Sequence, residues 1–212
     1  MNPERSGKNM ATKARLAVFI SGGGTGLQAI IDASRRGDLS ADVVWVVSSS
    51  SKAFGLERAR KENIETFVFL TKQYGTPEAA TSDLLAKLRE RRVEYIALAG
   101  YLKLLSPEVV RAYPRRILNI HPGLLPRYGG PGMYGHFVHE AVLASGDKES
   151  GPTVHLVDEI FDHGRILEQV RVPVLPGDTP ETLAARVLIE EHKLYPRVID
   201  NLIKGKYELD HD

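Results

Sequence analysis

The 212-residue chain contains no cysteine. Disulfides, thiolate zinc sites and a cysteine nucleophile are therefore excluded together. It also lacks an excess of charge of either sign, with 28 basic side chains against 27 acidic ones. The only dense basic run is the short RERR at Arg89 to Arg92, so the charge pattern calls for neither a nucleic acid nor a membrane surface. No Gly-x-Ser-x-Gly occurs, which leaves a serine-elbow hydrolase without its anchor. No repeat, low-complexity segment or interdomain linker breaks the chain. Residues 1–13 are polar, with Arg5, Lys8 and Lys13, and lack the apolar core of a secretory signal. They read as a flexible N-terminal tail, and the protein as cytoplasmic.

What is present is ordinary globular material, 42% hydrophobic and 26% charged, and this length implies one domain with a sizeable core. From Arg15 onward short β-rich runs alternate with longer amphipathic ones, the pattern of βαβ units around a parallel sheet. LAVFI (Leu16 to Ile20), DVVWVVSS (Asp42 to Ser49), Thr66 to Phe69 and YIALAG (Tyr95 to Gly100) read as strands, the last buried on both faces. Helices are expected from about Leu27 to Arg36, from Phe54 to Glu62, and over Pro77 to Arg92. Another begins at Ser106-Pro107-Glu108, with Ser106 as cap. Later strands are expected at Thr153 to Val157 and Ile166 to Val174. The last helix opens at Asp178-Thr179-Pro180-Glu181 and runs to about Leu202.

Four stretches carry chemistry. ILNIHPGLLP (Ile117 to Pro126) brings Asn119 and His121 to one face of a strand end, because side chains alternate with a period of two. SGGGTG (Ser21 to Gly26) joins a strand to a helix, a setting in which bare amides and the positive helix end receive an anion. A dinucleotide site is disfavoured, since the third glycine position is Leu27 and the second strand ends in serines rather than an acid. The spacing therefore favours a simple phosphate. On the last helix Leu183, Val187, Leu194, Val198 and Leu202 form an apolar stripe, and Glu191 falls in its middle. An inward carboxylate there calls for either an internal Arg or Lys partner or a ligand. Asp162 lies in the polar connection DEIFDHG (Asp158 to Gly164) and by itself reads as a turn residue. His136-x-x-His139 has no acid at the zincin position, so no metal is expected, and His155, alternating within a strand, reads as a satisfied core histidine or one supporting the site. RYGGPGMYGH (Arg127 to His136) is a glycine-rich loop beside the suspected site.

Taken together, ISGGGTGLQAII, YIALAGYLKLLSP, ILNIHPGLLPRY, HLVDEIFDHG and RVLIEEHKLYP resemble the phosphoribosylglycinamide formyltransferases over about residues 14 to 205. The resemblance implies a single-domain, Rossmann-like α/β fold with a mostly parallel twisted sheet and helices on both faces. The catalytic domain spans 14–205, and a C-terminal tail covers 206–212. The implied activity is transfer of a formyl group from 10-formyltetrahydrofolate, a co-substrate, to the amine of glycinamide ribonucleotide in purine biosynthesis. The partners are those small molecules, the protein is a monomer or homodimer, and no metal, nucleic acid or membrane is involved. The family's catalytic set falls on Asn119, His121 and Asp162. Its phosphate loop falls on Gly22, Gly23, Gly24, Thr25 and Gly26, and its ribose-contacting acid on Glu191. Its folate-binding positions fall on Leu102, Lys103, Leu104, Leu105, Asn119, Asp158, Glu159 and Asp162. Within this scheme Asn119 donates to the oxyanion and a protonated His121 moves the proton, while Asp162 favours the charged imidazole and raises its pKa.

The sequence departs from the family at three places. Thr25-Gly26 stands where many members have Ser-Asn, Pro77 stands where some have a folate-tail arginine, and the loop after Tyr128 is several residues longer. The alternatives are another folate-dependent formyltransferase acting on a nucleotide sugar or charged tRNA, a formyltetrahydrofolate hydrolase, and a non-catalytic folate- or nucleotide-binding protein.

Overall fold

The computed structural model describes residues 13–209. The expected tails therefore fall largely outside the described residues, at 1–12 and 210–212. The elements run β1 Ala14–Ile20, α1 Thr25–Arg36, β2 Ala41–Ser48, α2 Gly55–Lys61, β3 Thr66–Val68, α3 Pro77–Glu90, β4 Tyr95–Leu98, α4 Pro107–Ala112 and β5 Ile117–His121. They continue with α5 His136–Ser145, β6 Glu149–Ser150, β7 Thr153–Leu156, β8 Ile166–Gln169, β9 Val172–Pro173 and α6 Pro180–Ile203.

Seven strands form one sheet in the order β3-β2-β1-β4-β5-β7-β8. Pairing is parallel from β3 to β5 and antiparallel where β7 meets β5 and β8. The central strand explains its own composition. Leu16, Val18 and Ile20 of β1 enter one core, with residues of α1, α2 and α6, while Ala17 and Phe19 enter the other, beneath α3 and α4. A parallel strand covered on both faces has no wet side, hence the unbroken apolar run. YIALAG follows the same rule, with Ile96 and Leu98 in one core and Ala97 and Ala99 in the other.

Several helix boundaries follow from their caps. The Thr76 hydroxyl accepts the Ala79 amide at the start of α3. Thr179 and Thr182 exchange hydrogen bonds at the start of α6, as in a capping box. Ser106 occupies the cap position of α4, but its hydroxyl accepts from Thr81 at 3.0 Å and makes no bond to a helix amide. The expected strand Ile166 to Val174 is in fact two strands. β8 stays in the main sheet, whereas β9 pairs with β6 in a separate ribbon. The break arises where Gly151 crosses the chain, at φ 139°, so close that a Cβ would lie 1.8 Å from the Val170 carbonyl oxygen. Apolar alternation continues across such a bend and hides it. At the C-terminal end, Tyr207 and Leu209 pack against the core. No helix among the described residues is long and apolar enough to cross a membrane.

Helix α6 is the clamp over the strand ends. Leu183, Val187, Leu194, Val198 and Leu202 are all buried. Tyr195, also fully buried, places its hydroxyl 2.9 Å from the carbonyl oxygens of both Leu98 and Leu118 on adjacent strands β4 and β5. Tyr195→Phe keeps the ring and strips both carbonyls of this donor. It is expected to lower unfolding stability by about 1–3 kcal/mol, read from urea denaturation; an unchanged midpoint would show that the hydroxyl adds nothing.

Candidate active site

A cavity of about 830 Å³ opens at the C-terminal ends of β1, β4 and β5, at the switch point between β1 and β4, where the chain, having laid β2 and β3 on one side of β1, crosses to the other. Its walls are the glycine loop Gly22 to Gly26, the segment Leu98 to Leu105, the strand end Asn119 to Pro122, the loop Gly130 to Gly135, and the α6 face carrying Glu191. Leu102, Leu104, Ile160 and Phe161 line it and are exposed, giving part of the mouth an apolar rim. Of the expected residues, Asp158 and Glu159 are not brought to the cavity. Asp158 pairs with His163 at 2.6 Å and Glu159 with Arg111 at 2.7 Å, and their segment contributes Val157, Ile160, Phe161 and Asp162 instead. Pro77 starts α3 and does not line the cavity.

The polar centre is built by strand register. In the antiparallel pair β5–β7, Asn119 lies opposite His155 and His121 opposite Thr153. Asn119 Nδ2 lies 3.1 Å from His155 Nε2 and 3.3 Å from Asp162 Oδ1. His155 Nδ1 faces the Leu156 carbonyl at 2.8 Å, so that nitrogen carries the proton and Nε2 is free to accept. Both amide hydrogens of Asn119 are thus engaged, one by imidazole and one by carboxylate. To donate to an oxyanion, Asn119 would have to exchange one of these contacts.

His121 is fixed by the same logic. Its Nε2 donates to the Tyr128 carbonyl at 2.5 Å, and Nδ1 lies 3.4 Å from Asp162 Oδ2. Asp162 does act to raise its pKa, as expected, but the net direction is down. Burial, the largest influence, lowers the pKa and outweighs the carboxylate of Asp162 and the Tyr128 carbonyl, which raise it. In the neutral ring the proton therefore sits on Nε2, held by the Tyr128 carbonyl, and Nδ1 faces Asp162. Asp162 is held below the usual carboxylate range. Burial pushes it up, but the neighbouring imidazoles His155 and His121, when protonated, and the Gly130 amide together prevail. That amide donates to Asp162 Oδ2 at 3.0 Å, and Asp162 itself sits at φ 53°, a costly backbone for a residue other than glycine.

The turn after His121 is stapled by Thr153. Its hydroxyl donates to the Gly123 carbonyl at 2.6 Å and accepts from the Leu125 amide at 3.1 Å and from Gln169 Nε2 at 2.8 Å. The glycine-rich loop is then pinned where Gly129 packs tightly. A Cβ there would lie 2.5 Å from Leu125 Cδ2 and 3.0 Å from Asp162 Cβ.

At the other end of the cavity, α1 starts with Gly24 at φ 71° and has no side-chain cap. The amides of Gly23 to Leu27 have no acceptor among the described residues, as an anion site requires. Glu191 lines the same cavity with no Arg or Lys partner among the described residues, and burial raises its pKa to about 7. Sequence reasoning left His155 between a core and a supporting role and missed His139 as a cavity residue. The imidazole of His139 is buried, lines the cavity and has an unpartnered Nδ1, and its pKa is lowered to about 4, mainly by burial. Opposition to Asn119 across the β5–β7 pair marks His155. His139, one helical turn beyond His136, carries no such mark.

The fold and site define a doubly wound α/β protein with an acid–base centre and an anion-receptive loop in one cavity. Residues 14–199 match the formyl transferase family. The chain is 48% identical over 194 residues to a chloroplastic phosphoribosylglycinamide formyltransferase of Vigna unguiculata, covering 92% of this chain and 62% of that protein. The match thus spans less than two thirds of that relative's length. It is 40% identical to the phosphoribosylglycinamide formyltransferase of Haemophilus influenzae, covering 92% of this chain and 90% of the other. The glycinamide ribonucleotide transformylase 1 structure from Symbiobacterium toebii superposes with a TM-score of 0.88 at 38% identity, covering 94% of this chain and 92% of that one. The chain belongs to the formyl transferase family, on its phosphoribosylglycinamide formyltransferase branch.

The electrostatic balance at His121 is open to direct measurement. Asp162→Asn removes a negative charge that favours imidazolium, so the midpoint of the His121 ring titration, followed by NMR, is expected to move to lower pH. A midpoint that stays in place or rises would detach Asp162 from the ring.

Proposed function

We propose that this chain transfers the formyl group of 10-formyltetrahydrofolate to the amine of N1-(5-phospho-D-ribosyl)glycinamide, a step of purine biosynthesis, and that it works in the cytoplasm. The observation that carries this reading is the single cavity joining the uncapped glycine loop, Glu191 and the Asn119-His121-Asp162 cluster. The apolar rim of Leu102, Leu104, Ile160 and Phe161 suits a flat folate ring, and the glycine loop suits the phosphate of the acceptor. Lys103 and Leu105 line the same cavity beside Leu102 and Leu104.

The chemistry needs only side chains already in place. The acceptor amine attacks the formyl carbon, and a tetrahedral intermediate with a developing oxyanion forms. Asn119 keeps its bond to His155 and turns its second N–H from Asp162 to that oxyanion, an exchange favoured by the long 3.3 Å resting contact. Neutral His121 takes the proton of the attacking nitrogen on Nδ1, beside the carboxylate of Asp162. The imidazolium so formed returns that proton to the folate nitrogen as the carbon–nitrogen bond breaks. Asp162 stabilises the charged ring only while it exists, which places its effect in the transition state.

Asn119→Ala, His121→Ala and Asp162→Ala are each expected to lower kcat by about 10²–10⁴-fold with KM for both substrates little changed. Near-normal turnover in any one removes that residue from the mechanism. The overall reaction is tested by mixing the protein with 10-formyltetrahydrofolate and following deformylated folate with and without glycinamide ribonucleotide. Release that requires the nucleotide supports the proposal, release without it points to a hydrolase, and no release points to a binding protein.

Glu191 has its own signature. As an acceptor for ribose hydroxyls it works only when ionised, so ribonucleotide affinity is expected to fall as pH drops through about 7. Glu191→Gln is expected to weaken binding and to flatten that part of the pH profile. Loss of stability with unchanged affinity would make the carboxylate structural.

A further inference from the structure

The glycine loop does not stand alone; helix α2 is built against it. Gly55 and Gly24 meet backbone to backbone. A Cβ on Gly24 would lie 2.6 Å from Gly55 Cα, and one on Gly55 would lie 2.5 Å from Ile20 Cδ1 and 3.1 Å from Gly24 Cα. Arg58, three residues beyond Gly55 and so on the same helix face, is thereby laid along the loop. The two groups divide the loop carbonyls between them. The Gly55 amide donates to the Gly22 carbonyl at 3.1 Å, and Arg58 Nε donates to the Gly23 carbonyl at 2.9 Å. In a planar trans peptide the N–H points opposite to the C=O. Drawing these two carbonyls towards α2 therefore turns the amides of Gly23 and Gly24 away from it, and both glycines line the cavity.

Charge points to the same residue. A phosphate monoester brings up to two negative charges at neutral pH. Lys103 is the only Lys or Arg among the cavity-lining residues, and it belongs to the segment after β4. The terminal nitrogens of Arg58 have no hydrogen-bond or carboxylate partner among the described residues, and its guanidinium lies 5.2 Å from the centre of the Phe54 ring. Its field reaches α6, where burial first and the charge of Arg58 second lower the pKa of His192, the neighbour of Glu191.

We propose that Arg58 is the positioning residue of the phosphate subsite: its Nε–H holds the Gly23 carbonyl so that the loop amides face the substrate, and its charge offsets that of the phosphate. This inference rests on reading the glycine loop as the site for a phosphorylated acceptor. Arg58→Gln keeps a neutral donor and loses the charge, whereas Arg58→Lys keeps the charge and loses the fork. With glycinamide ribonucleotide, Arg58→Gln is expected to raise KM by about 10- to 100-fold, to leave kcat within a few-fold, and to leave KM for the formyl donor unchanged. Arg58→Lys is expected to recover part of the loss.

The control acceptor is the same molecule without its phosphate, and inorganic phosphate binding, measured by calorimetry, is the parallel readout. Arg58→Gln is expected to weaken phosphate binding and leave kcat/KM for the dephosphorylated acceptor at the wild-type value. An equal loss with both acceptors, or an unchanged KM for the ribonucleotide, overturns the role given to Arg58. Should the wild-type protein treat the two acceptors alike and bind no phosphate, the phosphate subsite itself falls, and this role with it.

Discussion

The hydrogen bond between Asn119 and His155 is the constraint on which the rest of the site depends. It exists because β7 runs antiparallel to β5 in the one register that sets these residues opposite each other. A slip of one residue would turn His155 to the other sheet face. With His155 in place, its Nδ1 proton committed to a carbonyl, the Asn119 amide has one possible orientation, and the second amide hydrogen is delivered to Asp162. Asp162 in turn reaches His121 and the Gly130 amide. Four side chains and a loop are therefore ordered by one cross-strand pair, and in a buried setting each member is costly to leave unpaired.

Much of this fold was legible because the strands are covered on both faces. LAVFI and YIALAG could only be central, and turn residues separated them from amphipathic helices at short intervals. The stripe on α6 was equally readable, and Glu191 stood out because a carboxylate broke it. Periodicity cannot see where one backbone crosses another, and so the break between β8 and β9 at Gly151 was hidden. Nor can it see pairing partners. Asn119 and His121 were visible as a couple on one strand end, but their partners His155 and Asp162 lie some 35 to 45 residues away. Asp158 and Glu159 show the same limit, since only the structure reveals that their side chains pair with His163 and Arg111 and do not line the cavity.

Electrostatics separates the two ends of the cavity. At the His121 end burial dominates and lowers the ring's pKa, although a carboxylate 3.4 Å away acts to raise it. A group serving as a general base gains from such a balance, since it must accept a proton readily and be stabilised once it has. At the Glu191 end burial acts without a partner and lifts the carboxyl to about 7. A partner supplied by the ligand would reverse that rise, so the energy withheld from the free protein becomes available on binding. Desolvation is thus the largest influence on both groups, opposed by a neighbouring carboxylate at His121 and by no partner at Glu191.

The glycine-rich loop couples these local balances to access. Gly130, Gly132 and Gly135 all have positive φ, and Met133 packs in the small core beneath α5 and α6. The first of these glycines donates its amide to Asp162 Oδ2, the same oxygen that faces His121. Movement of the loop away from the cavity would therefore remove a donor from Asp162 and raise its pKa, weakening the carboxylate on which a protonated His121 relies. The loop and the acid–base centre are thus joined through a single carboxylate oxygen.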